Sequence, residues 1–180
     1  MAAQENIELV RRFVDDVANR HRADLMAELC THDHVLYHPA IPRTAHGIEE
    51  YERSLGPVWE AWPDHHLEIE DILAEGDRVA MRAIVTATNT GAMRGAKPTG
   101  KSTRSHVVAT YRIRDGKIAE TRVTEDIMTM LHDAGQVPRN LTLVYWMRKI
   151  GFIALLQKLG KIPGAETMPE RPTPPEAAAP

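Results

Sequence analysis

An isolated acid, Asp126, closes the alternating run Ile118–Asp126 just ahead of the apolar turn Ile127–Met128. A carboxylate at a strand end that looks into an apolar cavity can take a proton from one atom and return it to another. Burial penalises its charged form and raises its pKa towards the working pH. Strand alternation puts Ile118, Glu120, Arg122, Thr124 and Asp126 on one face. Arg122 then shares the cavity, where its charge would lower the Asp126 pKa; it could bind a substrate carboxylate or steady an enolate oxygen. The competing expectation is that Asp126 caps the helix that follows. His106 is a third catalytic candidate, out of phase with Val107, Ala109 and Tyr111 on the run 103–113, and so outward-facing if those three line the interior.

Other chemistry-bearing residues are more scattered. There are nine histidines but no HExxH or similar spacing, so no metal site is expected. His32 and His34 flank Asp33 and read as solvated, as do His65 and His66 after Pro63–Asp64. Tyr37 and His38 end a β-prone run at a cavity mouth and are candidate pocket residues. Tyr51, Trp59, Trp62 and Tyr111 are candidate apolar walls. Cys30 is alone, which leaves no partner for an intrachain disulfide or a thiolate metal cluster.

The elements that must position these groups follow from periodicity. Residues 5–20 repeat Ile7, Val10, Phe13, Val14 and Val17 at helical spacing, and a short helix is expected over about Ala23–Cys30. The run Val35–His38 is β-prone and is stopped by Pro39 and Pro42. A helix after Gly47 would bury Ile48, Tyr51, Leu55, Val58, Trp59 and Trp62 and end near Pro63. Strands then take over: 66–74, 79–88, 103–113 and 118–126, joined by turns at 75–78 and at Arg114–Lys117 and by a Gly/Pro-rich loop over 91–100. Helices followed by a curved antiparallel sheet predict an α+β fold with the helices on one face.

At 180 residues the chain has room for one domain with appendages. A formal charge of −3 and a pI near 6.3 speak against a dedicated nucleic-acid binder. The start, MAAQENIELVRRF, lacks the order of a signal peptide, and no uncharged apolar run approaches the roughly 20 residues of a membrane span, so a cytoplasmic protein is expected. The stretch 139–162 is apolar yet carries Arg139, Arg148, Lys149, Lys158 and Lys161. It is expected to form an extra helix, packed over the domain 1–138 or at a dimer seam. A pocket lid and a basic helix on a membrane surface are the alternatives, the latter weakened because the charges do not gather on one face. Residues 163–180, with six prolines, are expected to be disordered.

Taken in order, ENIELVRRFVDDV, HVLYHPAIP with HGIEEY, WPDHHLEIEDILAEGDRVAMR, TGAMRGAKPTGKS, YRIRDGKIAETRVTED and MTMLHDAGQVP resemble the SnoaL-like polyketide cyclase family, within the class of folds like nuclear transport factor 2 (NTF2-like). The resemblance covers roughly residues 5–138. It implies a cone-shaped α+β barrel, a bent sheet wrapped around the N-terminal helix with a deep hydrophobic cavity, and homodimers formed through the exposed sheet face. It also implies cofactor-independent, metal-free closure of a carbocycle by intramolecular aldol condensation on a hydrophobic small molecule. Asp126 stands where the family has its catalytic aspartate. Three residues depart from the pattern: Arg122 replaces a common tryptophan, Asn89 a common histidine and Ala83 a common aromatic. Asn89 and Ala83 are placed among the substrate-contacting candidates, and Arg122 among the catalytic ones.

Three functions are therefore expected as alternatives. The first is a cyclase or isomerase acting on a polyketide-like or polycyclic molecule. The second is a non-catalytic small-molecule-binding or assembly module. The third is an epoxide hydrolase resembling limonene epoxide hydrolase, whose Arg-x-Asp triplet is here replaced by Arg82–Ala83–Ile84.

Overall fold

A computed structural model describes residues 2–41, 43–92 and 96–137, together with Gly151, Leu155, Leu156, Lys158 and Leu159. The chain divides into two units, Met1–Gln136 and Val137–Pro180.

In the first unit, helix α1 (Ala2–Arg12) continues as a π-helical segment, Phe13–Asn19, that buries Phe13, Val14 and Val17. The expected second helix is shorter than its apolar residues suggested: a 3₁₀ turn, Ala23–Leu25, leads into α2 (Met26–Leu29). Strand β1 then starts at Cys30 and runs to Tyr37, well ahead of the β-prone run. After the short β2 (Ala45–His46), helix α3 (Gly47–Ala61) buries Tyr51, Leu55 and Ala61. The remaining strands are β3 (His66–Glu75), β4 (Arg78–Thr88), β5 (Ser102–Arg114) and β6 (Lys117–Glu125), and α4 (Ile127–Asp133) follows.

These form one six-stranded sheet in the order β2-β1-β6-β5-β4-β3. β3 to β6 make an antiparallel meander, while β1 lies parallel to β6. The edge strands β2 and β3 do not pair with each other, so the expected barrel is an open, curved sheet rather than a closed one. Alternation is strict on β5, where Thr103, Ser105, Val107, Ala109, Tyr111 and Ile113 are all buried. Of these, Val107, Ala109, Tyr111 and Ile113 pack with α1, the π segment and α3 in one core. The β5–β6 turn uses positive φ at both central residues, Asp115 (53°) and Gly116 (72°), the twist that a two-residue hairpin requires.

One irregularity controls the site. β5 and β6 pair Ile113 with Ile118 but Arg112 with Glu120, so Ala119 is an extra residue on β6. Such a bulge shifts side-chain alternation by one position. Ile118 points into the core, and beyond the bulge the inward set becomes Thr121, Val123 and Glu125.

In the second unit, Leu155 N–H bonds to the Gly151 carbonyl and Leu159 N–H to that of Leu155, a helical spacing that leaves Leu155 and Leu159 exposed. The rest of the expected 139–162 helix, its lid and membrane-surface alternatives, and the tail 163–180 lie outside the described residues. Among the described residues no helix is long and apolar enough to cross a membrane.

Candidate active site

The concave face of the sheet, the π segment and α3 enclose a cavity of about 80 Å³. Its walls are mostly aliphatic and aromatic; its polar members are His38, His65, Thr121 and Glu125. Phe13 sits edge-on to both Tyr51 and Tyr111, with ring centroids 6.3 and 6.1 Å away, which locks the floor. The π segment delivers Phe13, Val14 and Ala18 to this wall together.

Glu125 ends β6 with its side chain half-buried in the cavity. Burial pushes its carboxyl up to about 7; the Ser105 hydroxyl, which donates to Oε1 at 3.4 Å, pulls it down, and the neighbouring Asp126 charge raises it further. His38 reaches the same cavity from the end of β1. Its Nδ1 accepts the Ala40 N–H at 3.1 Å, so the neutral ring carries its proton on Nε2 and remains a donor. Burial, then the nearby His65, lowers the His38 pKa to about 4. His65 is lowered to about 4 as well, first by burial, and its buried Nδ1 finds no hydrogen-bond partner among the described residues. Deeper, His34 is fully buried and its Nε2 is 2.9 Å from the hydroxyl of Thr121.

The structure redistributes the expected residues. Tyr51, Trp59, Trp62, Tyr111 and His38 do line the cavity. Asp126 does not. Its side chain is exposed, accepts from Thr129 N–H (3.0 Å) and from the Thr129 hydroxyl (2.7 Å), and caps α4; those bonds hold its pKa below the usual carboxylate range. Arg122 lies on the outer face, its guanidinium 3.9 Å from the centre of the Tyr37 ring and 2.7 Å from Glu120, so Tyr37 is drawn away from the cavity with it. His106 is exposed on the same outer face. The cause for Arg122 and Asp126 is the bulge at Ala119: alternation counted from Ile118 places both inside, and the extra residue turns both out. Ala83 is fully buried in the core without lining the cavity. Arg82 faces outward towards Glu70 at 3.7 Å, so its strand supplies no arginine to the interior.

Asn89 does structural work beside a second space. It is buried, donates to the carbonyls of Ala61 (3.4 Å) and Gly91 (3.0 Å), and accepts from Thr99 N–H (3.1 Å) and Gln136 (2.9 Å). This space, about 230 Å³, is lined by Asn89, Ala96 and Gln136 and by Ile127, Met130 and Leu131 of α4. Missed from sequence were Glu125, hidden by the bulge, and His34 and His65, both read as solvated; only the apolar neighbours Val35 and Leu67 hinted at their burial. Among the described residues no three histidine, cysteine or carboxylate side chains converge as a metal site.

With this geometry in view, comparison places the chain among known proteins. The family model for SnoaL-like polyketide cyclase matches residues 8–134. No curated protein matches. Among solved structures, a candidate SnoaL-like polyketide cyclase from Jannaschia sp. CCS1 is 23% identical with a TM-score of 0.68, covering 76% of this chain and 95% of its own. IdmH, a candidate polyketide cyclase from Streptomyces antibioticus, is 25% identical with a TM-score of 0.64, over 72% of this chain and 98% of IdmH. AclR, a candidate hydroxylase from Streptomyces galilaeus, is 29% identical with a TM-score of 0.65, over 76% and 99%. The match over most of the chain, on a sheet that folds as the family's does, makes this protein a member of the SnoaL-like polyketide cyclase family.

Proposed function

We propose that the chain catalyses proton transfer on an apolar carbonyl compound, as a cyclase or isomerase, with Glu125 as the proton carrier. The observation that carries this reading is a carboxyl group raised to about 7 that lines the same apolar cavity as a neutral imidazole donor. Ionised Glu125 removes a proton from a carbon beside a carbonyl. Negative charge then builds on the carbonyl oxygen, and the His38 Nε2–H is the donor suited to hold it. The carbanion attacks a second carbonyl of the same molecule, forming the ring bond. The protonated Glu125 returns its proton to the new alkoxide, so the cycle ends with the enzyme unchanged and the substrate isomerised. A neutral His38 suits this better than a charged one, because it donates without pairing permanently with Glu125.

Glu125→Gln preserves shape and removes the base. On a panel of polyketide-like diketones, followed by mass spectrometry and chromatography, it should lower turnover at least about 100-fold with the melting temperature retained. Undiminished turnover in Glu125→Gln overturns the assignment. Saturable binding of the same compounds by the wild type, with no conversion, would instead identify a binding module.

A further inference from the structure

The inner cavity and the outer space share a wall made of Ala40, Trp62 and Met130. Their volumes are about 80 and 230 Å³. Small-molecule sites occupy about 300–1,000 Å³. Neither chamber reaches that range alone; joined, they reach its lower end.

The shared wall is built to give way. Met130 is an unbranched, flexible side chain on the short helix α4. Trp62 is buried, yet its indole N–H has no hydrogen-bond partner among the described residues. No hydrogen bond therefore pins the ring in the wall, and an unpaired buried donor favours any ligand acceptor that reaches it. At the far side, Gln136 Nε2 donates to Asn89 Oδ1 at 2.9 Å and to the Lys97 carbonyl at 3.2 Å. Both amide hydrogens are committed, so the group Gln136 has to offer is its Oε1 acceptor. Ile127 and Leu131 make the rest of that chamber apolar.

We propose that the outer chamber is a second subsite for one elongated, largely apolar ligand that crosses the Trp62–Met130 wall. A carbonyl would meet the Trp62 indole and a terminal hydroxyl would meet Gln136, while the opposite end reaches Glu125. This rests on the inner cavity being the reaction site, and it specifies the shape and polarity of the substrate.

The test is calorimetric titration of the full chain with three probes: acetophenone, a single-ring ketone, and chalcone and 4-hydroxychalcone, two-ring ketones long enough to cross the wall. The wild type should bind 4-hydroxychalcone at least tenfold more tightly than acetophenone and about threefold or more above chalcone. Leu131→Trp and Ile127→Trp, which fill only the outer chamber, should weaken chalcone binding at least tenfold and leave acetophenone within twofold. Equal affinity of the wild type for all three probes, or no binding of any, overturns the proposal without recourse to a variant. So does chalcone affinity left unchanged by both folded tryptophan variants. Glu125→Gln should keep the ranking of the probes, so failure of the catalytic assignment and failure of the subsite are read separately.

Discussion

Two adjacent acids at the end of β6 have opposite fates. Glu125 holds its proton to about pH 7 in the folded chain, against an ordinary value of 4.5. Between those values the folded state carries a proton that the unfolded state has lost, so this group's contribution declines as pH rises from 4.5 to 7 and stays low above it. Glu125→Gln should therefore be more stable than the wild type at pH 8, by roughly 1–3 kcal/mol, and little different at pH 4, as read by urea unfolding. For the reaction the same ionisation is required, so kcat/KM should climb through an apparent pKa near 7. Asp126 behaves as a cap. Asp126→Asn, which can still accept from Thr129, should keep both fold and turnover, and Asp126→Ala should lower the melting temperature while turnover stays within about twofold. A large loss of turnover in Asp126→Asn would return the catalytic role to that residue.

Among the elements, the β6 bulge and the 89–91 segment carry the most consequence. Deleting Ala119 makes Glu120 follow Ile118 directly, which restores regular alternation while every residue beyond keeps its partner on β5 and its facing. The deletion variant should therefore keep Arg122 outside, opposite Thr110, and Val123 and Glu125 inside, with turnover retained. A folded deletion variant whose pH–rate profile has lost the ionisation near pH 7 would mean that pairing with β5 does not by itself hold Glu125 in the cavity. The second element is held by backbone contact. Gly91 donates to the Ala61 carbonyl at 3.1 Å, and a Cβ there would lie 2.1 Å from the Glu60 carbonyl oxygen. Gly91→Ala should cost about 1–3 kcal/mol by forcing α3 and this segment apart. Because Asn89 sits in the same clamp, the variant should also weaken binding in the outer chamber, which chalcone titration would register.

At the scale of the molecule, pH stability should be governed by buried imidazoles. His34, His38 and His65 are each lowered to about 4, chiefly by burial. Between pH 4 and 6.5 the unfolded chain binds these protons and the folded chain does not, so stability grows as pH rises through that window. Glu125 offsets one of the three, leaving roughly two protons and a slope of about 3 kcal/mol per pH unit near pH 5.5. Chemical denaturation between pH 4.5 and 7.5 should show stability climbing steeply to about pH 6.5 and then flattening. His34→Asn should make the climb shallower; an unchanged slope would mean that His34 is not held neutral. The pattern of elements in the first unit, Met1–Gln136, was largely legible in the sequence. Helical spacing over 5–20 and after Gly47, strict alternation on 79–88 and 103–113, and the Asp115–Gly116 turn specify helices against an antiparallel meander.

What the sequence determined by itself was therefore the α+β class, the family and an apolar interior flanked by acids, because periodicity and turn chemistry are local properties. Which acid enters that interior was decided only in the tertiary structure. A single extra residue in a strand is visible only against the register of its partner, here Ile113 with Ile118 and Arg112 with Glu120. The burial of His34 and His65 was decided in the same way, by surfaces brought from distant parts of the chain.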